Sequence, residues 1–168
     1  MNDARLRVRI GSIAIGALVA VMSTVGCSDP PKPVEAVTFE TVCDAKYDPT
    51  MEKGLSVTKL VSLEGYLDIP RGLFTMCSDT CSVKLLPDEK AIKDKAQDKG
   101  ISISLKIGKD EAQMEALPEK YEEDDLKIKA TGGKKVGVGS KVRVTGERLG
   151  SASDKTCQIV NVGKIEAL

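Results

Sequence analysis

Histidine and tryptophan are absent from the 168 residues. Without histidine, the commonest general base and the commonest neutral metal ligand are missing, so a Ser-His or Cys-His nucleophilic centre is excluded. Aromatic rings are few: Phe39, Tyr47, Tyr66, Phe74 and Tyr121. Net charge is absent as well, with 25 basic against 25 acidic residues. The first 26 residues hold three of the arginines and one of the acids, leaving 22 basic and 24 acidic residues in the remainder. A balanced chain with so few rings offers neither the basic groove nor the stacking platform that single-stranded nucleic acid requires. Nucleic acid is therefore not expected as a partner, and no metal or cofactor is expected either.

What is present begins with an order of charges. Arg5, Arg7 and Arg9 are followed by an uncharged stretch from Ile10 to Ser28 that is mostly apolar or small. A positive start before an apolar run is the layout of a secretory signal. The stretch is about long enough to span a bilayer, but Gly11, Ser12, Gly16 and Ser23 make it weakly apolar for that role. It ends in Ser23-Thr24-Val25-Gly26-Cys27, which resembles the lipobox of bacterial lipoproteins, with Thr24 where leucine is usual. The resemblance implies cleavage after Gly26 and lipid attachment at Cys27. Ser28, rather than an acid, follows that cysteine. By resemblance to enterobacterial lipoproteins, this implies the outer membrane, facing the periplasm, in an organism that has one. The Pro-rich stretch Ser28 to Pro33 reads as an extended tether. The expected organisation is a signal peptide over 1–26, a lipidated cysteine with tether and irregular segment over 27–54, and one domain over 55–168.

Within that domain the pattern is period-two alternation, the mark of half-buried strands. Val57, Val61, Leu63, Gly65, Leu67 and Ile69 form one apolar face, with a break at Lys59-Leu60. Cys81, Val83 and Leu85 form a second strand that stops at Pro87. Ile101, Ile103, Leu105 and Ile107 form a third, and Val142, Val144 and Gly146 a fourth. Residues 157–165 form a fifth, whose slipped alternation predicts a bulge near Gly163. Asp110 and Gln113 have the spacing of a capping box, with Met114 and Leu117 three apart, so a short helix is expected between strands three and four. Asp88 to Lys99 is expected as a weak helix or a loop, and Thr131-Gly132-Gly133-Lys134 as a turn between short extended pieces. Three strands, a helix and two strands resemble the OB-fold, a mainly β, five-stranded Greek-key barrel. The segment from Gly139 to Arg148 resembles its fourth strand, and the whole chain is similar to uncharacterised bacterial lipoproteins carrying an OB-like (tRNA-anticodon-binding-like) domain.

Cys43, Cys77, Cys81 and Cys157 remain after Cys27. Four cysteines in an oxidising compartment predict two disulfides, with three possible pairings. The expected pairs are Cys77 with Cys81 and Cys43 with Cys157. The four-residue spacing of Cys77 and Cys81 is not that of a thiol oxidoreductase.

The OB-fold binds ligands across the outer face of its second and third strands. Here that face offers Ser82, Lys84, Ser102, Ser104 and Lys106 as the candidate binding residues. The functional expectation is a non-catalytic binding or protein-interaction barrel, attached to a membrane by its N-terminal lipid and open to an envelope protein partner. The alternatives are an envelope enzyme acting on a glycan or small ligand through a carboxylate pair drawn from Glu64, Asp68, Asp79 and Asp88 and, suggested by the fold alone and opposed by the charge and the few rings, an oligonucleotide-binding domain. The acidic run Glu119, Glu122, Glu123, Asp124 and Asp125 lacks the alternating ligands and glycine of a calcium loop and reads as a solvated face.

Overall fold

The structure, a computed structural model, describes residues 32–69, 77, 79–117, 120–154 and 156–168. The export signal, Cys27 and most of the tether lie outside these residues. In chain order the strands are β1 (Val34–Val37), β2 (Thr50–Glu52), β3 (Leu55–Val57), β4 (Leu60–Asp68) and β5 (Thr80–Leu86). Helix α1 (Glu89–Lys93) follows, then β6 (Ile101–Lys106), β7 (Gln113–Met114), β8 (Ile128–Lys129), β9 (Lys135–Val136), β10 (Lys141–Ser151) and β11 (Thr156–Ala167).

Five of these strands close on themselves. β4 pairs antiparallel with β10 and, at its far end, with β5. β10 pairs antiparallel with β11, β11 runs parallel to β6, and β6 returns antiparallel to β5. The result is a small, OB-like Greek-key barrel in a mainly β chain. Its interior is the alternating set read from the sequence: Val61, Leu63 and Leu67 from β4, Val83 and Leu85 from β5, Ile103 and Leu105 from β6, and Val142 and Val144 from β10 are all buried. Gly65 sits where β4 leaves β10 for β5. A Cβ there would lie 2.7 Å from both Leu85 Cγ and the Leu86 carbonyl. Closure at that point requires the missing side chain.

The bulge expected near Gly163 is present. Thr145 pairs with Lys164 and Glu147 with Val160, so one residue of β10 faces three of β11. Asn161 adopts a positive φ of 46° within it. The break expected at Lys59-Leu60 falls one residue earlier, at Thr58-Lys59, between β3 and β4. Asp88 caps α1, its side chain accepting from the Ala91 N–H at 2.7 Å.

The helix expected between the third and fourth barrel strands is a correction. Among the described residues, the α-helix is α1, which lies between the second and third. Asp110 and Gln113 do bond each other, at 3.3 Å, but across a turn in which Ala112 has φ 57°. That backbone cannot continue as a helix. The segment instead forms a three-stranded sheet, β7-β8-β9, with Met114, Leu126, Ile128 and Val136 buried. A short helix would have buried only the stripe of Met114 and Leu117. The turn at Thr131–Gly133 joins β8 to β9, as the sequence indicates.

Residues 34–54, which carry no clear periodicity, also join the body of the fold. β1 adds to β4 in parallel, pairing Val34 with Leu60 and Val37 with Leu63. Val42 and Tyr47 enter the core.

Candidate binding face

The antiparallel register of β5 and β6 decides which side chains share a face. Ser82 lies opposite Ser104, Lys84 opposite Ser102, and Thr80 opposite Lys106. Their neighbours Cys81, Val83, Leu85, Ile101, Ile103 and Leu105 point into the barrel. The five residues expected to form a binding face therefore do share the outer surface. β11 runs beside β6 with Gln158 opposite Ser102, so the face continues onto a third strand.

That surface is concave in two places. One groove of about 280 Å³ is bounded by Thr80, Ser104 and Lys106 on the strands, by Glu111 on the turn after β6 and Gln113 at the start of β7, and by Asn161 on the β11 bulge. A second, of about 520 Å³, is bounded by Lys84 and Ser102, by Asp98 and Lys99 beyond α1, and by Thr156 and Gln158. Ser82 is exposed and lines neither groove. The smaller groove was partly out of reach of sequence reading. Its Glu111 and Gln113 come from the segment expected as a helix, which alternation does not place.

The walls are held by hydrogen bonds. Glu111 accepts from the Gly132 N–H at 2.8 Å. Asn161 Nδ2 donates to Glu147 Oε2 at 3.0 Å. That bond, with help from Thr58 and from the charge of Lys32 at 3.8 Å, holds the Glu147 carboxyl below its ordinary value. Cys43 and Cys157, brought to disulfide distance with Cα atoms 5.6 Å apart, form part of the wall of the larger groove. Cys77 and Cys81 are likewise paired, Cα atoms 5.0 Å apart.

Beneath the Cys43–Cys157 end lies a residue that the sequence analysis did not single out. Arg148 is fully buried. Its Nη1 meets Asp48 Oδ1 at 2.9 Å, and its Nε donates to the Val42 carbonyl at 3.3 Å. Nη1 also donates to the Gly150 carbonyl. Asp48 in turn accepts from the Ala152 N–H at 3.1 Å. Ion pair and disulfide together fasten the N-terminal segment to the β10–β11 hairpin and so fix one wall of the groove. The signal was available, since Arg148 has the same parity as inward Val142, Val144 and Gly146 in β10.

The carboxylates of the enzymatic alternative are mostly engaged. Glu64 Oε1 accepts from Arg143 Nε at 3.0 Å. Asp68 accepts from Gln97 at 3.0 Å, and Asp88 caps α1. In the acidic run, Asp125 accepts from the Glu122 N–H at 2.9 Å. Among the described residues, no three histidine, cysteine or acidic side chains converge as metal ligands. No helix among them is long and apolar enough to cross a membrane. The face thus presents amines, hydroxyls and amides with isolated carboxylates, a surface suited to hydrogen-bonding a polar partner. Among the described residues, no aromatic ring lines either groove. No protein-family model matches the chain, and no curated protein matches it.

Proposed function

We propose that this chain is an exported lipoprotein, anchored through Cys27, whose barrel is a non-catalytic binding or protein-interaction module of the cell envelope. The observation that carries the binding role is the concavity of the polar face. Four of the five residues expected on that face from the OB-fold resemblance and strand alternation, Lys84, Ser102, Ser104 and Lys106, line two grooves. A merely solvated strand face needs no such shape. The grooves are small to medium by the standard of ligand sites, in which volumes of about 300–1,000 Å³ are usual. The anchor is supported by the charged-then-apolar start, Gly26-Cys27 and the Pro-rich stretch behind it. Ser28 after the cysteine favours the periplasmic face of an outer membrane.

The anchor is tested by intact mass and membrane partition of wild type and Cys27→Ser. The reading predicts a wild-type mature chain that begins at Cys27, carries acyl mass and sediments with membranes. It also predicts that Cys27→Ser loses both properties. Unchanged mass and partition in the variant would overturn the lipid assignment.

A further inference from the structure

The end of the barrel at which the described chain begins carries an apolar prong. β1 starts at Val34, opposite Leu60 at the start of β4. Three residues before Leu60, the β2–β3 hairpin closes with Thr50 opposite Val57. Chain entry and hairpin base are therefore at one end of the molecule. Lys53 and Gly54 form the hairpin turn with φ of 50° and 80°, the left-handed pair of a tight primed turn, which suits glycine at the second place. Met51 lies opposite Ser56 and Leu55 opposite Glu52, so the two apolar side chains occupy opposite faces of the ribbon. Each is 72% exposed, and Val34 nearby is 51% exposed. The hairpin is a two-stranded sheet by itself, and such a ribbon is at best marginally stable in water.

We infer that the hairpin tip inserts Met51 and Leu55 into the lipid surface to which the chain is tethered. A protein surface would cover one face of the ribbon and leave the other bare, whereas a fluid apolar layer covers both. The inference rests on the anchor at Cys27. The stretch from Cys27 to Val34 reaches about 25 Å at most, and three-residue strands project about 10 Å, so the anchor keeps the tip within range of the headgroups. Charge does not supply the attraction. Exposed Lys46, Lys53 and Lys59 are offset by exposed Glu35, Asp44 and Glu52, which leaves apolar burial as the driving term.

The absence of tryptophan makes the test clean. Met51→Trp and, as control, Glu89→Trp on the exposed side of α1 each give a single indole. Among the described residues, every buried residue of the core lies between Val37 and Ile165, so the chain from Cys27 onward retains all of them. Its other four cysteines are paired, so Cys27 alone takes a maleimide-bearing phospholipid. That coupling supplies the anchor whatever the cell does, and failure of native lipidation is read separately from failure of the hairpin to insert. In phosphatidylethanolamine–phosphatidylglycerol vesicles with brominated acyl chains, Met51→Trp should be blue-shifted. It should also be quenched about twofold or more relative to Glu89→Trp, since interfacial insertion places side chains at the acyl boundary. Adding Leu55→Asp should reverse most of the quenching. Equal quenching at both positions would overturn the inference. So would a blue shift without vesicles accompanied by a dimeric mass, which would assign the hairpin to a second copy of the chain.

Discussion

Arg148 shows how one side chain constrains the site from below. It occupies an inward position of β10 that an apolar residue would ordinarily fill, and its charge is met by Asp48 and two backbone carbonyls. Its Nη2 is buried and has no hydrogen-bond partner among the described residues. Leaving a fully buried charge without its counterion costs more than leaving a partly exposed one, and Arg148 is fully buried whereas Asp48 is partly exposed. Asp48→Asn, which keeps an acceptor for the Ala152 N–H, should therefore destabilise the fold by about 3 kcal/mol. That is the low end of the range for buried pairs, because Asp48 is 29% exposed. Arg148→Met should cost less. Urea midpoints at unchanged slope check both. If Arg148→Met were the more damaging, the guanidinium bonds to Val42 and Gly150 would dominate the ion pair.

At the scale of elements, the barrel strands were legible because each has one wet and one dry face. Val61, Leu63 and Leu67 in β4, and Ile101, Ile103 and Leu105 in β6, are buried at every second position, and a strand so patterned has one stable register. The candidate face follows by the same parity. The β7–β9 sheet was not legible. Its strands are two residues long, too short to show a period, while the Asp110–Gln113 spacing satisfies a helix cap and a turn equally well. β1 was missed for a similar reason, since only Val37 of its four residues is buried. The β11 bulge was legible as a slip in alternation, but not the clamp it builds between Asn161 and Glu147. That clamp has a pH signature. Glu147 is held below its ordinary value chiefly by the Asn161 hydrogen bond. Its contribution to stability is therefore present above the ordinary carboxyl range and lost as pH falls through the lowered folded value. Asn161→Ala should raise the Glu147 titration midpoint toward its ordinary value and lessen the loss of stability on acidification. Carboxyl-detected NMR titration and pH-dependent melting would show it. An unmoved midpoint would mean that Thr58 and Lys32 hold the carboxylate alone.

At the scale of the whole molecule, the N-terminal segment and the last strand are joined by the pairing of Cys43 with Cys157 across 114 residues. A loop of that size, removed from the unfolded ensemble, stabilises by about 4–5 kcal/mol in the chain-entropy account. Cys43→Ser with Cys157→Ser should lower the melting temperature substantially. Cys77→Ser with Cys81→Ser, which opens a four-residue separation, should lower it much less. Equal losses would show that the long pair does not tie the two ends in the manner described. The same pair borders the larger groove, so its loss should also loosen whatever that groove holds.

The central claim is that the outer face of β5, β6 and β11 binds a partner in the envelope. The most direct measurement is photo-cross-linking in intact cells, with a photoreactive amino acid at Ser104 and, as control, at Glu89. The account predicts a discrete adduct from position 104 that is absent from position 89 and weakened by Lys106→Glu. No adduct from position 104, or the same adducts from both positions, would contradict it.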